Sequence, residues 1–250
     1  MIKIEELSKA YKKIKALQDI NVSFEKGQSI AIIGPNASGK TTLIKCILGM
    51  VKPDQGTIQF KDQDIRAGRD YLKNIGYMPQ IGRYPDRMRV GEVFQLMKAL
   101  RKTKDQPKID ETLLKAFQLE TLFNKPMYSL SGGTRQKVSA SLAFLFSPQV
   151  LMLDEPTAGL DPLSSEILKN HIKAKQEEGK LILITSHILS DLEEICDYLL
   201  YLQEGHIKLF LPIAQIKAMT EERLLTKAIT KMLKNNLSEW EKSSLIYSMT

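Results

Sequence analysis

The chain has 250 residues, of which 43% are hydrophobic and 26% are charged. These values are typical of globular proteins and exclude a disordered or fibrous chain, and the length suits one large domain or a core with a small insertion. The two cysteines, Cys46 and Cys196, lie far apart and form no C-x-x-C pair. This excludes a disulfide scaffold and a cysteine zinc site, and it fits a reducing compartment.

The formal net charge of +7 is concentrated in one stretch. Residues 61–108 contain twelve Lys or Arg and six Asp or Glu, which accounts for nearly all of the excess. Such a stretch fits an ordinary solvated surface, or a face for an acidic partner or anionic lipid headgroups. The N-terminus lacks an apolar signal segment, and no apolar run approaches the roughly 20 residues of a membrane span. We therefore expect a soluble chain that meets a membrane only through a partner.

Strand-like and helix-like segments alternate along the chain, which predicts an α/β fold. Short apolar runs that meet Gly, Pro or acidic turns predict strands at 29–33, 56–60, 74–78, 150–153 and 181–185, and a hairpin formed by 198–202 and 206–210. Helical spacing and caps predict helices at 40–48, 90–102, 110–119 (with Asp110 as a cap), 131–145, 162–178 and 189–196. The strand-poor block 81–148 indicates a helical insertion. The tail after Pro212 is predicted to be helical to about Asn235.

A glycine-rich segment between the first buried strand and the next helix matches G-x-x-x-x-G-K-[ST]. It comprises Gly34, Pro35, Asn36, Ala37, Ser38, Gly39, Lys40, Thr41 and Thr42. The glycines let backbone N–H groups curve around phosphate oxygens, and the helix N-terminus adds a partial positive charge. Lys40 can reach the β and γ phosphates, and the Thr41 hydroxyl can ligate Mg²⁺. The alternative is a chance glycine-rich turn. The match to the motif, the strand before it and the helix after it argue against this alternative.

Two carboxylates follow the apolar run at 150–153. Asp154 is suited to hold Mg²⁺ through water, and Glu155 to orient or deprotonate an attacking water. An apolar run followed by Asp-Glu-Pro is also an ordinary exit from a strand to a turn. The presence of the phosphate loop in the same chain favours the functional interpretation.

A second phosphate-binding helix start is predicted at Ser131, Gly132 and Gly133, where a hydroxyl, bare backbone amides and a helix dipole coincide. An N-cap with a flexible lead-in is the alternative. The chain has two such helix starts and only one loop with Lys and Thr. One nucleotide can engage both starts if they come from different protomers.

Three single residues are further candidates. Gln80 follows the strand at 74–78 and could ligate Mg²⁺ or water, whereas a polar turn residue is the simpler interpretation. His187 follows the strand at 181–185 and could donate to a γ-phosphate, or be an ordinary loop histidine. Tyr11 could stack on an adenine, although an aromatic residue near the N-terminus often serves packing.

Together these residues resemble the ATP-binding cassette (ABC) ATPases, specifically the transporter subunits, over residues 1–210. Residues 34–42 resemble the Walker A loop, Gln80 the Q-loop glutamine, and 130–133 the signature motif. Asp154 and Glu155 resemble the Walker B pair, 158–161 the D-loop, His187 the switch histidine and Tyr11 the adenine-stacking aromatic. The signature reads LSGGT where the commonest form has Gln at the fifth position, and the Ser and both Gly remain.

The resemblance implies the P-loop NTPase fold of the ABC type, a mixed sheet core with an antiparallel β subdomain and a helical subdomain. The cassette would span 1–210 with the helical subdomain at about 81–148, followed by a mainly helical tail at 211–250. It implies an ATPase with ATP and Mg²⁺, the metal held by Thr41, Gln80 and Asp154, and catalysis by Glu155, His187 and Gln80. Tyr11, 34–42 and 131–133 would bind the nucleotide.

The resemblance also implies partners. A second cassette would complete a head-to-tail nucleotide sandwich, and multi-helix membrane permease subunits would place the chain peripherally on the cytoplasmic inner face of the membrane. The compact insert looks like that of export-type or maturation-type subunits, and the stretch around 77–94 resembles cassettes that serve copper-site maturation of nitrous oxide reductase. A soluble ABC ATPase acting on nucleic acid or ribosomes, and a P-loop kinase or GTPase, are the alternatives. The sequence shows neither a second cassette nor a long coiled coil, so no nucleic acid is expected. It shows no N-K-x-D tetrad, which argues against a GTPase.

Overall fold

The computed structural model describes residues 1–101 and 108–234. Its strands are β1 (Ile2–Tyr11), β2 (Ile14–Phe24), β3 (Ser29–Ile33), β4 (Gln55–Phe60), β5 (Gln63–Asp64), β6 (Ile75–Met78), β7 (Val150–Asp154), β8 (Leu181–Thr185), β9 (Tyr198–Gln203) and β10 (His206–Pro212). Its helices are α1 (Lys40–Ile47), α2 (Val90–Leu100), α3 (Thr112–Ala116), α4 (Gly132–Phe144), α5 (Pro162–Glu177), α6 (Leu189–Ile195), α7 (Ile213–Thr220) and α8 (Leu225–Lys234). The chain forms two compact units, one of Met1–Leu72 with the chain from Leu181 onward, the other of Lys73–Lys180.

The first unit contains an antiparallel sheet and a mostly parallel one. The antiparallel sheet has the strand order β2-β1-β4-β5. In the other, β3 lies between β8 and β9 and is parallel to both, and β10 pairs antiparallel with β9. Every residue of β3 and β8 is buried, which explains why both read as continuous apolar runs in the sequence.

The second unit is built on the parallel pair β6 and β7. Between these two strands the described residues form α2, α3, α4 and short 3-10 turns, in agreement with the predicted helical insertion. The bounds 1–210 and 81–148 given above for cassette and subdomain stay predictions. Lys102, the last residue of the predicted helix at 90–102, lies outside the described residues, and so do 235–250 of the predicted tail.

The N-terminal hairpin β1–β2 was not predicted by the pattern of apolar residues. Glu6 and Asp19 have positive φ angles of 49° and 48°, and the register of the two strands shifts between Ile4 and Leu7. Such irregularities interrupt the alternation that identifies a strand in a sequence. The antiparallel β subdomain implied by the family resemblance is confirmed by this hairpin together with β4 and β5.

One helix prediction was wrong in extent, and the helical tail proved to be divided. The helix predicted at 110–119 is the five-residue α3, which stops because Gln118 adopts a left-handed conformation with φ of 54°. Glu111 occupies its cap position, and Asp110 accepts a hydrogen bond from the Thr112 N–H at 3.0 Å. The tail forms two helices, α7 and α8, because Glu221 is left-handed with φ of 58° and ends the first of them.

Both cysteines are buried in the first unit. Burial raises the pKa of Cys46 to about 11 and the pKa of Cys196 to about 12. Neither thiol therefore ionises at neutral pH.

Candidate functional site

The glycine-rich segment is shaped by close backbone contacts in the first unit. Gly34 follows the buried strand β3 with φ of 153°, and a Cβ atom there would lie 2.0 Å from the Leu202 carbonyl oxygen. Gly39 has φ of 111° just before α1, and a Cβ atom there would lie 2.4 Å from the Ala16 carbonyl oxygen. The fold therefore demands bare backbone at both ends of this loop.

The loop has the properties of an anion site. The Lys40 ammonium group donates to the carbonyl oxygens of Gly34 at 2.8 Å and Pro35 at 2.9 Å. The first turn of α1 carries no acidic residue and no side-chain cap. Ser38 is 2% exposed, and its hydroxyl oxygen has no hydrogen-bond partner among the described residues. A helix N-terminus without a side-chain cap, a cation and an orphaned buried hydroxyl together fit a phosphate.

The other predicted residues of the first unit are exposed. Thr41 lies on the solvent side of α1, and Tyr11 ends β1 with 44% exposure and the Lys9 ammonium group 5.6 Å from its ring centroid. His187 follows β8 and is exposed. Because β3 and β8 are parallel neighbours, His187 and the loop at Gly34 follow the carboxyl ends of adjacent strands.

In the second unit, β7 ends at a buried carboxylate. Asp154 is 7% exposed, and burial together with the negative charge of Asp154 raises the pKa of Tyr77 on β6. The next residue, Glu155, has a left-handed backbone with φ of 51°, which is uncommon for a residue other than glycine. Gln80 is exposed two residues after β6. Since β6 and β7 are parallel, Gln80 and Asp154 belong to the same sheet edge.

Ser131 is the N-cap of α4, as predicted. Its hydroxyl oxygen accepts from the Thr134 N–H at 3.2 Å and lies 2.8 Å from the Thr134 hydroxyl. A Cβ atom on Gly132 would meet nothing within 4 Å, whereas one on Gly133 would lie 2.6 Å from the Gly159 carbonyl oxygen. The chain's own fold therefore requires Gly133 but leaves open space at Gly132.

The structure thus groups the predicted site residues into two sets, each within one unit. Tyr11, 34–42 and His187 belong to the first unit, and Gln80, 131–133, Asp154 and Glu155 to the second. Two polar residues of α4 that contact the loop after β7, Gln136 and Lys137, were not among the predicted site residues. Only Gln136 leaves a signal in the sequence, as a polar residue on the buried side of α4.

The comparisons with known proteins agree with this geometry. The sequence profile of the ABC transporter family matches residues 17–158, more than half of the chain. The lantibiotic transport ATP-binding protein SrtF of Streptococcus pyogenes is 32% identical over 210 residues, which cover 83% of this chain and 89% of SrtF. The lipopolysaccharide export system ATP-binding protein LptB of Escherichia coli K12 is 32% identical over 214 residues, covering 81% and 87%.

A solved ATP-binding subunit of an ABC transporter superposes with a TM-score of 0.84 and 27% identity, covering 93% of this chain and 99% of that one. Within residues 1–101 and 108–234, no helix has the length and hydropathy needed to cross a membrane. The predicted ABC-type P-loop fold is confirmed. The chain belongs to the ABC transporter family and is one of its ATP-binding, ATP-hydrolysing subunits.

Proposed function

We propose that this chain is the motor subunit of an export-type ABC transporter, which dimerises around ATP and drives conformational change in separate membrane subunits. The observation that carries the proposal is the open space at Gly132, in the first turn of α4. This helix is capped by Ser131, but unlike α1 it is not preceded by a phosphate loop. A glycine without a side chain lets a ligand approach the backbone closely, which suits a phosphate from outside the chain at this helix start. The names of SrtF and LptB, which specify transport and export, support the export assignment.

The proposed nucleotide ligands are Tyr11 for the adenine and residues 34–42 for the phosphates. The phosphate tail has high negative charge, which the Lys40 ammonium group and the N-terminal end of the α1 dipole neutralise. The γ-phosphate of the nucleotide held by the second cassette would be bound by Ser131, Gly132 and Gly133.

Magnesium prefers oxygen ligands, and the candidate residues supply a hydroxyl, an amide and a carboxylate oxygen. Thr41, Gln80 and Asp154 would hold the ion, and the burial of Asp154 at a strand end suits a carboxylate that faces a cation. When bound, the ion neutralises charge on the phosphates.

The proposed chemistry is hydrolysis of the bond between the γ-phosphorus and the oxygen that bridges to the β-phosphate. Glu155 accepts a proton from water as the water oxygen attacks the γ-phosphorus, and ADP leaves with the bridging oxygen. His187 donates a hydrogen bond to the γ-phosphate, and Gln80 orients water. Loss of the γ-phosphate removes contacts between the two cassettes, which shifts the population towards the open dimer.

The proposed partners are a second cassette, identical or related, and multi-helix permease subunits that hold the chain at the cytoplasmic face of the membrane. The positive charge of residues 61–108 suits a position near anionic headgroups. A narrower hypothesis is that the transporter takes part in copper-site maturation of nitrous oxide reductase. It rests only on the resemblance of residues 77–94, and the neighbouring genes would test it.

The central experiment measures the molar mass of Glu155→Gln in solution with ATP and Mg²⁺. This variant should bind ATP, hydrolyse it slowly and accumulate as a dimer, whereas the same sample without nucleotide should be monomeric. A monomer at saturating ATP, with the membrane partner also supplied, would refute the sandwich.

A second experiment tests whether residues 61–108 dock on the membrane partner, by changing Arg83, Arg87 and Arg89 to Glu. Loss of co-purification with membranes would support this docking, and unchanged co-purification would refute it.

A further inference from the structure

A buried amide connects α4 with the residue proposed as the general base. Gln136 lies one turn into α4 and is 6% exposed. Its side-chain nitrogen donates to the backbone carbonyl oxygen of Glu155 at 3.2 Å. Burying a polar side chain is unfavourable unless it is hydrogen-bonded, so this bond accounts for the presence of an amide on the buried side of the helix.

The carbonyl that Gln136 contacts belongs to a strained residue. Glu155 has φ of 51°, a conformation that persists in a residue with a side chain only when its surroundings hold it. The same carbonyl oxygen accepts a second bond from the Ala158 N–H at 3.2 Å, which closes the local turn. The Glu155 carbonyl oxygen therefore accepts a hydrogen bond from its own turn and another from α4.

Two further contacts join the start of α4 to residues that follow Glu155. The Lys137 ammonium group donates to the Asp161 carboxylate at 2.8 Å, and that carboxylate also accepts bonds from Ser164 as the N-cap of α5. Gly133 approaches the Gly159 carbonyl oxygen so closely that a Cβ atom would lie 2.6 Å from it. The first two turns of α4 thus contact residues 155–161 at three points.

We propose that Gln136 is a positioning residue for ATP hydrolysis, which holds the backbone of Glu155 so that its carboxylate faces the attacking water. The proposal rests on the role of Glu155 given above. The N-cap of α4, Ser131, is proposed to bind the nucleotide of the second cassette. The contact from Gln136 therefore links that binding site to Glu155, the proposed general base for the chain's own nucleotide. A displacement of α4 at one nucleotide is then transmitted to Glu155 at the other.

The test uses the full chain with ATP and Mg²⁺. Gln136→Met keeps the length of the side chain and removes its donor, and Met adapts to buried sites. We expect kcat to fall by about 10- to 100-fold, as expected for a misplaced catalytic group, with KM changed by less than about twofold. Ser141→Ala is the matched control, since Ser141 is a buried polar residue of α4 whose hydroxyl, within the described residues, bonds to its own helix through the Lys137 carbonyl oxygen at 2.9 Å. This control should keep kcat.

A second comparison separates positioning from general loss of structure. In a Glu155→Gln background, Gln136→Met should cause no further fall in the residual rate, because the group that it positions is already absent. A wild-type kcat in Gln136→Met, a parallel loss of affinity for a non-hydrolysable ATP analogue, or an undiminished effect in the Glu155→Gln background would each overturn the inference. Normal turnover of Glu155→Gln alone would instead overturn the proposed role of Glu155, and the inference with it.

Discussion

The Lys40 ammonium group lies 2.8 Å from the Gly34 carbonyl oxygen, so the loop holds its own cation at the place proposed for phosphates. A second carbonyl, that of Pro35, accepts from the same group at 2.9 Å. Phosphate oxygens are stronger acceptors than carbonyls because they carry charge. Nucleotide binding therefore redirects an ordered side chain instead of ordering a flexible one, which lowers the entropic cost of binding.

Lys40→Ala should weaken ATP binding. Hydrogen bonds to charged groups contribute about 1.5–3 kcal/mol, so we expect the Kd for ATP to rise by about 10- to 150-fold. Titration calorimetry measures this directly. Lys45→Ala, which removes a cation from the exposed side of the same helix, should leave the Kd unchanged. Equal Kd values for Lys40→Ala and the wild type would contradict the assignment of the phosphate loop.

The neighbouring glycines of α4 should respond differently to alanine. Gly133→Ala places a methyl group 2.6 Å from the Gly159 carbonyl oxygen and should lower the melting temperature. Gly132→Ala meets open space, so the melting temperature should hold or rise. The same change should nevertheless reduce ATP-dependent dimerisation, since its methyl group would project towards the second cassette. Unimpaired dimerisation of Gly132→Ala would place the ligand elsewhere.

His171 should make stability depend on pH. Its ring lies 4.9 Å from Phe144 between centroids, and Asp110, Lys175 and Glu178 are the charged groups around it. Burial lowers the pKa of His171 below its usual 6.5, with the charges adding smaller effects. The unfolded chain therefore binds a proton more readily than the folded one, so stability is complete above about pH 6.5 and falls as the pH drops through that value.

The measurement is the urea midpoint of wild type and His171→Phe at pH 7.5 and pH 5.5. The wild type should lose more stability between the two values than the variant, which has no imidazole to protonate. Identical losses would show that other groups cause the acid sensitivity.

Glu193 should stabilise α7 and α8. Its carboxylate accepts from the Lys217 ammonium group of α7 and from the Leu225 N–H at the start of α8, the latter at 3.0 Å. Glu193→Ala removes the cap of α8, which should cost about 0.5–2 kcal/mol. Hydrogen exchange of Leu225–Lys234 should become faster. The exposed Glu166 provides a control, whose alanine variant should not change exchange in this helix.

Much of the fold follows from local patterns. β3, β7 and β8 are apolar runs bounded by turns, and the β9–β10 hairpin is indicated by Glu204-Gly205, whose positive φ angles of 50° and 77° suit a tight turn. The β1–β2 hairpin was not predicted because its irregular register is set by pairing across the sheet. The ends of α3 and α7 were not predicted because residues other than glycine, Gln118 and Glu221, terminate them.

The candidate site divides in the same way. The phosphate loop and the Asp154–Glu155 pair are each contiguous in sequence, so the order of residue types is enough to indicate their chemistry. The bond between Gln136 and the Glu155 carbonyl joins residues 19 positions apart and depends on how a helix lies against a turn. No local pattern specifies such a contact, because it arises only when the chain has folded.

Burial of Cys46 and Cys196 has a practical consequence. Because both thiols stay protonated and inaccessible at neutral pH, the unmodified chain is a ready background for maleimide or spin labels. A single cysteine introduced at the exposed Leu163 would react alone, and label-to-label distances between two copies would report the opening and closing of the proposed dimer in real time.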